Sequence, residues 1–272
     1  MLVRIIEQFA NIKTYFLNEL PKTGAFKGKN GVGNTNRYKR IAECMKDTSL
    51  MALMAFVVFV AQDFKKFLVP LQTNAPMIHV LHSMEVKLVH SLMSKFIASK
   101  YITNEATKKT SGAPELMKVD VLDKKIHIAK VQVGAKATTE MKNLDALEKK
   151  KTVTVMVGFL ESCTKYLLNN LPLDNNVIKS AKCLHPENRH QKSALTNISY
   201  LIQVVIKALG DDAMHKAFHL GQNKTKYDLI DKIRSQFQQY QMESIDESFY
   251  KYNETSKKDT YTQKTSYWKD AY

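Results

Sequence analysis

The sequence is short of turn-formers, with 9 Gly and 6 Pro in 272 residues. A many-stranded β sandwich or barrel needs more of both, so the shortage favours helices. Cysteine is scarce too. Cys44, Cys163 and Cys183 lie too far apart for a disulfide framework and read as reduced, intracellular thiols. No apolar run is long enough to span a bilayer. The longest, Leu50 to Ala61, has 12 residues against the roughly 18 that suggest a spanning helix, and Asp63, Lys65 and Lys66 close it. It reads as a buried core helix. The N-terminus has Glu7 early and no small-residue cleavage site, so it does not read as a signal peptide. Carboxylates are scattered beside lysines, without the clustering that a two-metal nuclease site requires.

What the chain does hold is apolar content and positive charge. A hydrophobic fraction of 44 % excludes wholesale disorder, and the length suffices for one large domain or two smaller ones. Against 26 Asp and Glu stand 41 Lys and Arg, a formal charge of +15. Such a balance favours polyanionic partners. Residues 1–50 carry 9 basic and 4 acidic side chains, whereas residues 201–272 carry 11 and 10, so the surplus has an N-terminal bias. Nearly all of it is lysine, which binds phosphate as a point charge; base reading leans on arginine. The densest basic cluster is Lys27, Lys29, Arg37, Lys39 and Arg40, and these are the candidate nucleic-acid contacts.

Periodicity predicts the elements. Ile5, Phe9, Ile12 and Phe16 mark a first helix that Pro21 ends; an uncapped start on an apolar stripe points to an upstream partner. A Gly-, Asn- and Lys-rich loop follows over 23–36, then a helix from about Asn36, bent near Asp47-Thr48-Ser49. Core helices are expected over 49–71, 76–100, 152–171 and 187–209, the second opened by Thr73-Asn74-Ala75-Pro76 and the last closed by Gly210-Asp211. Residues 104–145 are charged and weakly periodic, with room for a short strand pair near 120–133. Tyr227, Ile230, Phe237 and Tyr240 predict a final helix.

Several motifs invite chemistry and fall short. The glycines of 23–33 do not make a phosphate loop: the spacing is wrong, Asn30 follows the lysine, and no strand precedes it. His215 and His219 share a helical face at metal-ligand spacing but lack the glutamate and third ligand of a zinc peptidase. His79 and His82, one turn apart on an apolar helix, read as structural. Cys183-Leu184-His185 with His190 nearby reads as a helix-entry packing motif ahead of a metal or nucleophile site.

Particular strings carry a family resemblance. They are FLNELPK at Phe16–Lys22, RYKRIAECMKDTSLMALMAFVVFVAQDFKKFLVPLQTNAPMIHVL at Arg37–Leu81, and YLLNNLPLDNNVIKSAKCLHPENRHQKS at Tyr166–Ser193. FQQYQ at Phe237–Gln241 and YWKDAY at Tyr267–Tyr272 complete the set. In order and spacing these blocks resemble the middle of hAT-superfamily transposase-like proteins, of the domesticated or decayed kind. CLHP followed by a helix with Arg189 and Ser193 is the most characteristic block. Such transposases cut DNA with three acidic residues and divalent metal on a ribonuclease H-like fold interrupted by a large helical insertion. The resemblance implies that this chain corresponds to the insertion, with the aspartates upstream and the glutamate downstream of it.

The expectation is therefore a mainly α fold, an irregular helical bundle with at most a short strand pair. Residues 1–250 would form the insertion-like domain, with basic loop 23–36 and irregular segment 104–145; 251–272 would be a polar linker and C-terminal segment. No catalytic residue, metal or cofactor is expected. DNA held without sequence specificity, a protein partner or a second copy would be the partners, with no membrane, in an intracellular and nuclear location. A helical protein–protein interaction module is the alternative.

Overall fold

The computed structural model describes residues 2–23, 26–27, 31–72, 76–104, 109–110, 112–217 and 225–246. The expected linker over 251–272, with Trp268, lies outside them, as do Lys29, His219 and the helix-start residues Thr73, Asn74 and Ala75. The fold is mainly α. In chain order the helices are α1 (Leu2–Glu7), α2 (Phe9–Thr14), α3 (Asn36–Lys46), α4 (Leu50–Leu71), α5 (Ile78–Met93) and α6 (Ser99–Ile102). They continue as α7 (Ala113–Met117), α8 (Ala135–Glu140), α9 (Ala146–Asn170), α10 (Asn176–Ala181), α11 (Ala194–Ala217) and α12 (Lys226–Met242). The chain divides into two compact units. Unit 1 comprises Met1–Lys66, Val89–Ser111 and Lys118–Asn169; unit 2 comprises Phe67–Leu88, Gly112–Met117 and Asn170–Tyr272.

In unit 1 the apolar run becomes α4, with Ala52, Ala55, Phe56 and Val60 buried. The bend expected at Asp47–Ser49 is real: α3 and α4 meet at 90°. Its cause is local. Asp47 is extended, and its Oδ1 accepts from the Ser49 backbone N–H at 2.8 Å and the Ser49 hydroxyl at 2.7 Å. Among the described residues no single helix is long and apolar enough to cross a membrane. Ile6 and Phe9 of the first helical segment are covered by the rest of the structure. That segment is broken at Gln8, and a π-helical turn over Tyr15–Glu19 follows it.

α5 is shorter than the expected 76–100. After Met93 the chain turns away, and the buried Lys95 ammonium pairs with Asp63 on α4 at 2.7 Å while donating to the Ser91 carbonyl. An ion pair taken so far out of water is destabilising unless its hydrogen bonds are filled, and here Ser91 also donates to Asp63. The strand pair is displaced from the expected site. Two-residue strands β1 (Thr103–Asn104) and β2 (Lys109–Thr110) pair antiparallel, while 120–133 contributes an isolated bridge, Lys125 to Ile97, and a 3-10 turn at Ile128–Lys130. Asp145 accepts from the Glu148 N–H at 2.7 Å and so starts α9 at Ala146, earlier than its apolar periodicity suggests. Thr164, which interrupts the α9 stripe in sequence, is fully buried.

Unit 2 is organised by α10, α11 and α12. Its core joins Cys183, Ala194, Ile198, Ile202, Phe237 and Tyr240. α10 is capped by Asn175, which accepts from Val177 and Ile178, and α12 by a capping box of Thr225 and Asp228. Two boundaries differ from expectation. α11 begins at Ala194 and not near 187, because residues 186–193 are held in turns, with Asn188 N–H donating to His185 and Gln191 N–H to Asn188. It also runs through Gly210 and Asp211 to Ala217; a glycine inside a helix costs about 1 kcal/mol, which a long helix tolerates.

Candidate polyanion-binding surface

The basic cluster is built at the start of α3. Thr35 caps that helix by accepting from the Tyr38 N–H at 3.2 Å. The preceding loop folds back on the first turn. The Phe26 ring packs edge-on against Tyr38, 4.9 Å between centroids, and Gly33 leaves room for it: a Cβ there would lie 2.5 Å from the ring. The Tyr38 hydroxyl then donates to the Phe16 carbonyl at 3.0 Å. These contacts bring Lys27, next to Phe26, to the same end of α3 as Arg37, Lys39 and Arg40. All four cations are exposed. Lys29 lies outside the described residues.

The electrostatics of this end are unusual. A helix N-terminus carries a positive partial charge and is ordinarily offset by Asp or Glu. The first turn of α3 has no acidic residue. Glu43 follows Lys39 by one turn, in the weaker of the two orientations for such a pair. No carboxylate among the described residues lies within 4.0 Å of any of the four cations. Four positive groups thus surround a positive helix end, an arrangement that an external anion would relieve.

The other motifs are placed differently. Gly33 serves ring packing, and Gly24 and Gly28 lie outside the described residues, as does His219. His82 is buried, and its Nε2–H donates to the Leu173 carbonyl at 3.1 Å. His79 stacks on His185 with centroids 5.7 Å apart. Cys183 is buried in the unit 2 core, and desolvation pushes its thiol up to about 11. That is the opposite of the depressed value a nucleophilic cysteine needs. Among the described residues no group of three or more His, Cys, Asp or Glu side chains could hold a metal ion.

A second basic group, Lys142, Lys149 and Lys150, is brought together in unit 1 around one apolar groove. It is not among the candidate residues that the sequence offers. The available signal is the lysine run at 149–151, which the Asp145 cap winds into the first turns of α9. No family model, curated protein or solved structure matches the chain.

Proposed function

We propose that the chain is a non-catalytic, transposon-derived helical protein that holds nucleic-acid phosphates without reading sequence, in the nucleus. The observation that carries the binding is the uncompensated group Lys27, Arg37, Lys39 and Arg40 at the positive end of α3. Lysine and arginine contacts to phosphate release counterions, so affinity falls steeply with salt. The order of the resemblance blocks supports the transposase ancestry, and the mainly helical fold is of the class expected for the insertion.

Fluorescence-anisotropy titration of a mixed-sequence duplex tests the binding. The expected slope of log K against log salt is about −3 to −4, for about four neutralised phosphates. Replacing all four cations by alanine is expected to flatten the slope toward zero. No binding at low salt, or an unchanged slope in the variant, overturns the reading. Metal-dependent strand cleavage by the purified chain would overturn its non-catalytic part.

One observation favours the interaction-module alternative. Val155 and Phe159 on α9 are exposed one turn apart, Leu147 is exposed about two turns before Val155, and Gly158 beside Phe159 has nothing within 4 Å of where its Cβ would be. An exposed apolar stripe of this kind fits a partner helix. Sedimentation velocity of the purified chain is expected to show self-association that Val155→Lys and Phe159→Lys remove. A clean monomer at all concentrations sinks self-association.

A further inference from the structure

Within unit 1 the 3-10 turn at Ile128–Lys130, α8 with the turn after it, and the start of α9 enclose a groove of about 430 Å³. The volume is within the range of ligand pockets, about 300–1,000 Å³. Its walls are mostly apolar, with Ile128, Ala129, Met141 and Val153 among the lining residues and Thr138 beside them. Lys142, Lys149 and Lys150 also line it, and no acidic side chain does. Lys142 and Lys150 are exposed and Lys149 is half-buried.

These three ammonium groups have no carboxylate within 4.0 Å among the described residues. The nearest acids in sequence are engaged elsewhere. Asp145 caps α9, and Glu148 accepts from the Thr48 hydroxyl at 3.3 Å. Lys149 and Lys150 also stand in the first turns of α9, where the helix dipole disfavours cations. Three uncompensated lysines whose aliphatic stems help line an apolar groove call for a ligand with an anionic head and an apolar body.

The walls narrow the choice. No aromatic ring lines the groove, so a nucleobase finds nothing to stack on. Methionine adapts to flexible chains. Three point charges suit a dianion better than a monoanion, and lysine is a common phosphate binder. The geometry points to a site for a phosphate monoester carrying one aliphatic chain, the head among Lys142, Lys149 and Lys150 and the chain along Ile128, Met141 and Val153. The site is separate from the α3 cluster and does not rest on the nucleic-acid reading. The occupant is a free amphiphile and not a bilayer surface.

Isothermal titration of the full chain with dodecyl phosphate, below its micelle concentration, tests this. One molecule per chain is expected to bind. Dodecanol, which lacks the head, and inorganic phosphate, which lacks the chain, are each expected to bind at least about tenfold more weakly. Ala129→Trp, at an exposed lining position, fills the groove and is expected to abolish binding while leaving duplex binding unchanged. Lys149→Gln with Lys150→Gln, both at the rim, gives a second variant that leaves the core intact and is expected to weaken dodecyl phosphate about tenfold. Equal affinity for dodecanol, equal affinity for inorganic phosphate, or wild-type affinity in the rim variant overturns the site. So does binding to phosphatidic acid vesicles without binding to the monomeric amphiphile.

Discussion

Acidification from pH 6.5 to pH 4 is expected to cost unit 2 about 3 kcal/mol through one side chain, His79. Desolvation is the main cause that lowers its pKa to about 4, helped by charge repulsion from His185 and opposed by a hydrogen bond to the Pro76 carbonyl. The folded state therefore holds His79 neutral where the unfolded chain, near 6.5, would bind a proton. Stability from this group is complete above pH 6.5 and is lost as pH falls through about 4. His82 adds to the loss, since burial and then Lys182 lower its pKa, the Leu173 carbonyl opposing and Lys179 adding a little. Lys179 and Lys182 are also the fixed cations around this cluster. Glu85 acts in the other direction. It is 2 % exposed, and burial raises its pKa, so protonation on acidification removes a penalty.

Urea unfolding at pH 7, 5 and 4 measures the effect. His79→Phe keeps a ring to stack on His185 and is expected to flatten the pH dependence between 6.5 and 4, with little change at pH 7. Glu85→Gln is expected to stabilise the chain at pH 7 and to steepen its acid loss, because the offsetting carboxylate is gone. A wild-type slope in His79→Phe would mean that the imidazole is solvated in the folded state.

Much of the helical order is legible from sequence because its causes are local. The run Leu50–Ala61 becomes the buried face of α4, Asp47-Thr48-Ser49 breaks the helix before it, and Pro172 follows the end of α9 at Asn170. Where boundaries move, the cause is a contact distant in sequence or a neglected cap. Lys95 reaches Asp63 on another helix and so ends α5 early. Ile97 takes Lys125 as its bridge partner, which leaves the 120–133 segment without a strand mate of its own.

The candidate sites divide in the same way. Arg37, Lys39 and Arg40 share one helix end, so their grouping is readable from spacing alone. The return of Lys27 depends on Phe26 meeting Tyr38, which no periodicity announces. The groove with Lys142, Lys149 and Lys150 was hidden twice over. Its walls come from a weakly periodic segment, and a lysine run in sequence does not disclose an aliphatic neighbour. Neither composition nor net charge separates a solvated lysine from one facing a groove.

Replacing Arg189 is expected to destabilise unit 2 about as much as truncating a core side chain. Arg189 follows CLHP in the most characteristic of the resemblance blocks, and the structure gives it a purpose there. The side chain is buried, with its guanidinium 5.4 Å from the centre of the Tyr240 ring. Nη2 donates to the Glu243 carbonyl at 2.6 Å, just beyond the end of α12, and Nε donates to His190 at 3.0 Å. The Arg189 carbonyl in turn accepts from Gln241 Nε2 at 2.5 Å, and the Tyr240 hydroxyl donates to Leu184 at 2.9 Å. These bonds hold the 186–193 turns against α12 and close one end of the core. Arg189→Ala leaves the Glu243 carbonyl without this donor and exposes the Tyr240 face, so it is expected to cost about 3 kcal/mol. Arg189→Lys keeps the charge but loses the planar fork, and one ammonium cannot serve Glu243 and His190 while also stacking on Tyr240. It is expected to recover less than half of that loss. Tyr240→Phe combined with Arg189→Ala should cost less than the two singles together, because both act on one clasp. Hydrogen exchange at the α12 amides reads the same event locally, with faster opening expected in Arg189→Ala. Unchanged α12 exchange and a loss under 1 kcal/mol would make the clasp a bystander.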